Sequence, residues 1–173
     1  MRTIDKEKII ANCGHVVVLK GGDSSEREIS LLSGEAVYRE LLALGVNVSV
    51  LDVGDTIVAD LDNLKPDLAL IMLHGQGGED GTIQGLLEVL KIPYTGSGVL
   101  ASALAMDKVK SKLIWQRLGL NAADYMELNE ATDWQALIDD FGVAVVKPVN
   151  GGSSLGIAIV KDAASLQKQF ELA

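Results

Sequence analysis

"LKGGDSSEREISLLSGEAV", Leu19 to Val37, is the stretch that decides how this chain folds. A β-branched run, Val16 to Leu19, arrives at Gly21 and Gly22, then leaves through Ser24, Ser25, Glu26, Arg27 and Glu28 into a helical pattern. Such a run bounded by glycines predicts a strand over about 15–20. Ile29, Leu32, Ala36, Val37, Leu41 and Leu44 recur at helical spacing, which predicts a helix over 29–43 with these residues as its apolar face. Gly45 follows as a natural C′ residue. A strand that passes through glycines into a helix is a building unit of open α/β sheets, whose ligands bind at the carboxyl ends of the strands.

Outward from this stretch the pattern repeats. "VNVSVLDV" alternates and predicts a strand over 46–52, and "DLALIML" is a continuous apolar run of buried-strand type over 67–73. A helix is predicted over 82–91. Strands alternating with helices imply a parallel sheet, hence an α/β domain over residues 1–96. From residue 97 the texture changes. "GVLASALAMDKVKSKLIWQRLG" is helical with a break near Met106–Asp107, "AADYMEL" is strand-like, and "ATDWQALIDDFG" is a helix capped by Thr132 or Asp133. "VAVVKPV" and the end of "NGGSSLGIAIV" are strands, and "DAASLQKQFEL" is a helix. Residues 97–173 therefore predict a small antiparallel sheet with helices on one side.

Bulk composition bounds the function. The chain has 173 residues, 48% apolar and 23% charged, enough for a core in one domain or two small ones. A net charge of −9 argues against a nucleic-acid surface or an anionic membrane, since both attract Lys/Arg patches. A single cysteine, Cys13, rules out an internal disulfide and fits a reducing compartment. The N-terminal residues show no apolar h-region, and no apolar run reaches the roughly 18 residues of a membrane span. A cytoplasmic protein is expected.

Four segments carry chemistry. In Gly21–Glu28, Ser25 can cap the helix with Glu28 closing a capping box. That reading leaves Glu26 unexplained, and a carboxylate at a crevice mouth suits an ammonium ligand. In "LHGQGGEDGTIQG", Leu73 to Gly85, glycines surround His74, Glu79 and Asp80 directly after a buried strand. Lone histidines are often structural, but this one ends a strand beside the first crevice, where glycines let backbone amides approach a polar ligand. "MDKVKSK", Met106 to Lys112, is either a solvated surface or a phosphate contact; Lys108 and Lys112 share a helical face while Lys110 points away. In "VVKPVNGGSSLG", Val145 to Gly156, Lys147 ends a buried strand and Pro148 stiffens the exit. The following Gly/Ser loop, with Ser153 and Ser154, is either a surface turn or a cover for polyphosphate. Neither GxGxxG nor a Walker A GK[ST] is present, so dinucleotide binding and a P-loop are disfavoured.

In this order, "GGDSSEREISLLSG", "LHGQGGEDGTIQGLLE", "IPYTGSGVLASALAMDKVKSK" and "VVKPVNGGSSLGI" resemble the D-alanine–D-alanine ligases, from about residue 15 to the last residue. The resemblance implies an N-terminal parallel-sheet, Rossmann-like (pre-ATP-grasp) domain followed by the first α+β lobe of an ATP-grasp fold. It implies ATP-dependent joining of two D-alanines through a D-alanyl phosphate, for peptidoglycan synthesis. By motif, Glu26 would hold the ammonium of the first D-alanine and His74 would lie at the substrate carboxylate. Lys108 and Lys147 would contact ATP phosphates, with Ser153 and Ser154 in the covering loop and Ser153 hydrogen-bonded to Glu26. A homodimer through the N-terminal domain is implied, with ATP and D-alanine as small-molecule partners. Members of that family continue into a second lobe that carries the Mg²⁺ (or Mn²⁺) ligands, an intermediate-stabilising Arg and the adenine contacts. No metal ligand is expected within residues 1–173, and the chain is expected to be a piece of a longer polypeptide or a truncated product. Within the class a D-lactate or D-serine variant remains open. Outside it, a non-catalytic nucleotide-binding or dimerisation module is the alternative.

Overall fold

The computed structural model describes residues 6–151 and 156–172, and the chain divides into two compact units, Met1–Ala103 and Leu104–Ala173. The first is built on β1 (Val16–Gly21), the middle strand of a sheet ordered β2-β1-β3, with β2 at Val48–Val53 and β3 at Leu68–Ile71. Both pairings are parallel, and Val18 lies between Val50 and Leu70. A further parallel bridge from Ala69 to Tyr94 extends the sheet beyond β3. Val16 to Leu19 are buried, as a central strand of a parallel sheet covered on both faces must be.

The pleat sends alternate β1 side chains to opposite faces. Val17 and Leu19 join Leu61 of α3 (Ile57–Leu64) and Ile83 and Leu87 of α4 (Thr82–Val89) in one apolar cluster. Lys20, on the other face, lies under α2 (Arg27–Ala43), where a Cβ on Gly34 would stand 2.5 Å from the Lys20 Cβ. Helix α2 therefore rides close on the sheet through small residues, and its buried positions are Ser30 and Gly34. This corrects the apolar face read from the sequence: Ile29 and Leu32 are 52% and 69% exposed. Close approach to the Lys20 stem selects small side chains, so the longer apolar ones turn outward. At its C-terminus α2 closes as expected, with Gly45 at φ +81° and the Gly45 and Val46 amides donating to Leu42 and Leu41 in a Schellman motif.

The chain runs from β1 outward to β2 and returns across it to β3, with α2 and α3 on opposite faces of the sheet. The strand order thus reverses between β1 and β3, and the loops leaving those two strands diverge from one crevice. Ser30 braces this point. Its Oγ accepts from the Gly21 amide at 2.8 Å and donates to the Met72 carbonyl at 2.7 Å, joining the ends of both strands to α2.

Helices α1 (Lys6–Asn12) and α3 lie outside the sequence reading. In the second unit α5 (Val99–Met106), whose first residues belong to the first unit, ends where the break was expected. Asp107 then caps α6 (Lys108–Arg117) by accepting from the Lys110 amide. Ala122–Leu128 forms no strand, contrary to the sequence reading. Its residues instead line a cavity, Leu128 packing on the second core while Ala123 accepts from Lys112. Asp133 caps α7 (Trp134–Phe141). Strands β4 (Ala144–Val146) and β5 (Ala158–Val160) pair antiparallel. Val146 and Val160 pack on Leu137 and Ile138 of α7 and Leu166 of α8 (Ala163–Leu172), while Val145 and Ile159 face outward, exposed.

Replacing Ser30 by Ala leaves the Gly21 amide and the Met72 carbonyl without their partner in a buried place. A loss of about 2 kcal/mol in unfolding free energy is expected, since each unsatisfied buried group costs about 1–3 kcal/mol. Urea denaturation reads this directly, and a loss below ~0.5 kcal/mol would remove Ser30 as the brace.

Candidate functional site

The crevice at the carboxyl ends of β1 and β3 holds the first cluster. Glu26, the residue preceding α2, is only 6% exposed although it is ionisable. Its own backbone explains the placement: Ser24 Oγ accepts from the Glu26 amide at 3.1 Å and donates to the His74 carbonyl at 2.7 Å. Ser24 thus fastens the first loop to the second. No side chain caps α2, so the Ser25–Glu28 capping box read from the sequence does not form; Ser25 is exposed. The Glu26 carboxylate accepts no hydrogen bond and forms no ion pair among the described residues.

The second loop closes over it. Gly75, at φ +68°, brings its backbone so near that an added Cβ would lie 3.3 Å from Ser24 Oγ and 3.7 Å from the Glu26 carboxyl carbon. This is a position for glycine on both counts. Glu79 accepts from the Gly75 amide at 2.7 Å. His74 Nε2 lies 3.1 Å from Ser33 Oγ, and that hydroxyl also lies 3.0 Å from the Ile29 carbonyl. With the serine proton on a backbone carbonyl, Ser33 accepts from Nε2–H, and the Nδ1 lone pair of His74 is left open. One ligand atom each from Glu26, His74 and Glu79 lie within 4.8 Å of one another.

Asp80 holds the loop's shape by accepting from the Gly77 amide at 2.8 Å and the Thr82 amide at 3.0 Å. Burial opposes its charge most strongly. The hydrogen bonds from Gly77 and Thr82 outweigh that and hold the carboxyl below the usual carboxylate range.

The second cluster lies wholly within Leu104–Ala173. A cavity of about 910 Å³ has Lys108, Lys112 and Lys147 in its lining, with Leu137, Phe141 and Phe170 among its apolar walls. Lys108 Nζ donates to the Gly151 carbonyl at 2.6 Å and its amide donates to Val149, so the start of α6 is tied to the Gly/Ser loop. Burial lowers the Lys108 pKa, the charge of Lys147 lowers it further, and Asp107 works the other way. Lys112 donates to the Ala123 carbonyl and lies over the Tyr125 ring. Lys110 turns away to pair with Asp107, as the helical spacing predicts. An apolar chamber with cations in its lining suits a polyphosphate carrying a planar base.

Glu26 and His74 are thus brought together in the first unit, and Lys108 and Lys147 in the second. Ser153 and Ser154, and with them the expected Ser153–Glu26 hydrogen bond, lie outside the described residues. Sequence reasoning passed over Ser30 and Ser33 as working residues. The signal was present: Glu26, Ser30 and Ser33 stand at i, i+4 and i+7, one face of the helix.

A family model described as "D-ala D-ala ligase N-terminus" matches residues 52–97. The D-alanine–D-alanine ligase of Pseudomonas entomophila is 53% identical over 148 residues, 85% of this chain and 46% of that protein. The chain belongs to the D-alanine–D-alanine ligase family. Among solved structures, the D-alanine–D-alanine ligase of Bacillus anthracis superposes with a TM-score of 0.79 at 36% identity, over 92% of this chain and 53% of its own. The same ligase complexed with ATP gives a TM-score of 0.77 at 34% identity, over 92% and 54%. The fold is therefore that of the ATP-grasp ligases: a parallel-sheet domain followed by an α+β lobe. The chain spans about half the length of the curated relatives it matches.

The ligase family implies ATP and Mg²⁺. The Lys-lined cavity fits the nucleotide, with cations for phosphates and apolar walls for a base. No ligand set for the metal is assigned there: among the described residues the converging trio of metal-ligating groups is Glu26, His74 and Glu79, in the first unit.

Because the Asp80 pKa is depressed in the folded chain, its contribution to stability is present above its unfolded pKa and is lost as pH falls through the lower folded value. Asp80→Asn is therefore expected to unfold at lower urea than the wild type at pH 7. The difference should shrink steadily below about pH 4, the usual range for an aspartate. A difference that stays constant down to acid pH would show that Asp80 acts only through its shape.

Proposed function

We propose that this chain supplies the first-substrate site and the phosphate-contacting lysines of an ATP-dependent D-alanine–D-alanine ligase. One observation carries the reading: Glu26 is buried at the switch-point crevice with its carboxylate unpaired among the described residues. A buried carboxylate is costly without a cation, and a substrate ammonium is a cation that arrives and leaves.

In this reading Glu26 holds the ammonium of the first D-alanine and His74 lies at its carboxylate. Lys108 and Lys147 hold phosphates of ATP, with Ser153 and Ser154 in the loop that covers them. An oxygen of the D-alanine carboxylate takes the γ-phosphoryl group, giving a D-alanyl phosphate and ADP. The amino group of a second D-alanine attacks the acyl carbon, and the tetrahedral adduct expels phosphate as the peptide bond forms. Such chemistry asks the protein chiefly for position and charge. Mg²⁺ or Mn²⁺, held by residues outside this chain, would neutralise the phosphates. The dipeptide would serve peptidoglycan synthesis in the cytoplasm. A homodimer through the first unit is supported by the exposed Ile29 and Leu32 of α2. Among the described residues no helix is long and apolar enough to cross a membrane.

In a ligase of full family length carrying these residues, Glu26→Gln should raise KM for the first D-alanine about 10–100-fold. This is the scale of a hydrogen bond to a charged group, and the affinity for ATP should barely change. A main effect on ATP would sink the ammonium role. Lys147→Ala should weaken ATP binding by about 1.5–3 kcal/mol, read by calorimetry with this chain itself. Unchanged nucleotide affinity would remove Lys147 from the phosphate site.

A further inference from the structure

We propose that Glu26, His74 and Glu79 form a binding site for a borderline divalent cation of the Zn²⁺ class. Three acceptor groups converge there, with one ligand atom from each within 4.8 Å of the others. Two are carboxylates, and neither takes part in an ion pair among the described residues. Two basic residues of the elements that frame the crevice, Arg27 and Lys20, are paired elsewhere. Arg27 forms a bidentate contact with Asp52 at 2.7 and 2.6 Å and donates to the Gly22 carbonyl, while Lys20 pairs with Glu35 at 2.9 Å. The Gly75 amide donates to Glu79 at 2.7 Å.

The second observation is independent of the clustering. Glu26 is 6% exposed, its carboxylate accepts no hydrogen bond among the described residues, and its ligand atom is directed into the group. A carboxylate this enclosed and without a partner among the described residues is favoured by a positive charge placed beside it. His74 is prepared in the same sense. Ser33 Oγ lies 3.1 Å from His74 Nε2 and, where its proton goes to the Ile29 carbonyl, accepts from Nε2–H and leaves Nδ1 free to ligate. An outer hydrogen bond that fixes the ring's tautomer is the usual support of a metal-bound histidine.

The donor set selects the metal. An imidazole nitrogen with two carboxylates suits Zn²⁺ and its neighbours, whereas Mg²⁺ and Ca²⁺ take oxygen ligands. Bonds of about 2.0–2.2 Å in a tetrahedron put ligand atoms about 3.3–3.5 Å apart. The cluster therefore closes by roughly 1 Å, within the swing of the exposed Glu79 side chain. Three protein ligands leave a fourth position open to water. Since the proposed function gives Glu26 to an ammonium, metal and D-alanine would exclude each other. That consequence rests on the ligase reading; the cation site does not.

The test is a titration of the untagged chain with ZnCl₂ by calorimetry, without amino acid or nucleotide, and with CoCl₂ followed by visible absorption. One metal per chain is expected. Glu79→Gln, whose amide oxygen still accepts the Gly75 N–H, and His74→Gln should each weaken Zn²⁺ binding at least tenfold. Cys13→Ser should leave it unchanged, the Co²⁺ spectrum should lack a thiolate charge-transfer band, and Mg²⁺ in large excess should not displace Zn²⁺. Thermal unfolding with EDTA present checks that each variant is folded before it is titrated. Binding that survives both Glu79→Gln and His74→Gln, or that disappears in Cys13→Ser, overturns the site. So does the absence of Zn²⁺ binding by the folded wild-type chain.

Discussion

Two hydrogen bonds at Ser30 hold the first unit's site together. The Oγ of this side chain sits at the point where β1 ends, β3 ends and α2 begins, and it answers a polar backbone group of each strand. A parallel sheet leaves the ends of its strands without ladder partners, and when a helix covers them those groups are shut off from water. Serine is the smallest residue that can accept from one strand and donate to the next under a helix this close. Its size matters as much as its hydroxyl, because Gly34, one turn on, also marks tight contact between α2 and the sheet. The crevice is consequently a fixed feature, and the loops that leave it are anchored at a common base.

What the two loops then do is largely electrostatic. Ser24 joins them, Gly75 lets them approach, and Asp80 holds the second loop's turn by collecting backbone amides. With the donors so employed, Glu26, His74 and Glu79 converge, and neither carboxylate is ion-paired among the described residues. The second unit is the converse. Lys147 lies near enough to lower the Lys108 pKa, and neither lysine forms an ion pair among the described residues. One unit carries acceptors that lack a cation, and the other carries cations that lack an anion. An amino acid brings the first, and a nucleotide phosphate brings the second.

Much of this was legible in the sequence, for reasons that differ by element. The strand before Gly21 and the buried run into Leu73 are readable because a strand covered on both faces must be apolar throughout. Asp107 and Asp133 announce helix starts, since their side chains offer an acceptor to the third amide onward. Helix α3 escaped, although Ile57, Leu61 and Leu64 carry a helical spacing, because eight residues between two strands give the pattern little length to show itself. The outward face of α2 was misread for a sharper reason. Periodicity reports that a helix has two faces, but burial went to the face with Ser30 and Gly34, where size outranked apolarity. Ala122–Leu128 failed likewise: a mostly apolar extended segment can wall a cavity as well as form a strand, and only pairing distinguishes the two.

The unpaired Glu26 also bears on why the site is built near a helix start yet uses no cap. Neither Ser25 nor Glu28 caps α2. Ser24 takes the structural role instead, one residue earlier, spending its acceptor on the Glu26 amide and its proton on His74. That exchange fixes the backbone of Glu26 while leaving its carboxylate uncommitted. A carboxylate left uncommitted in this way lets any cation bound there stabilise the fold by mass action. The brace at Ser30, a few residues along the same helix, holds the crevice in shape.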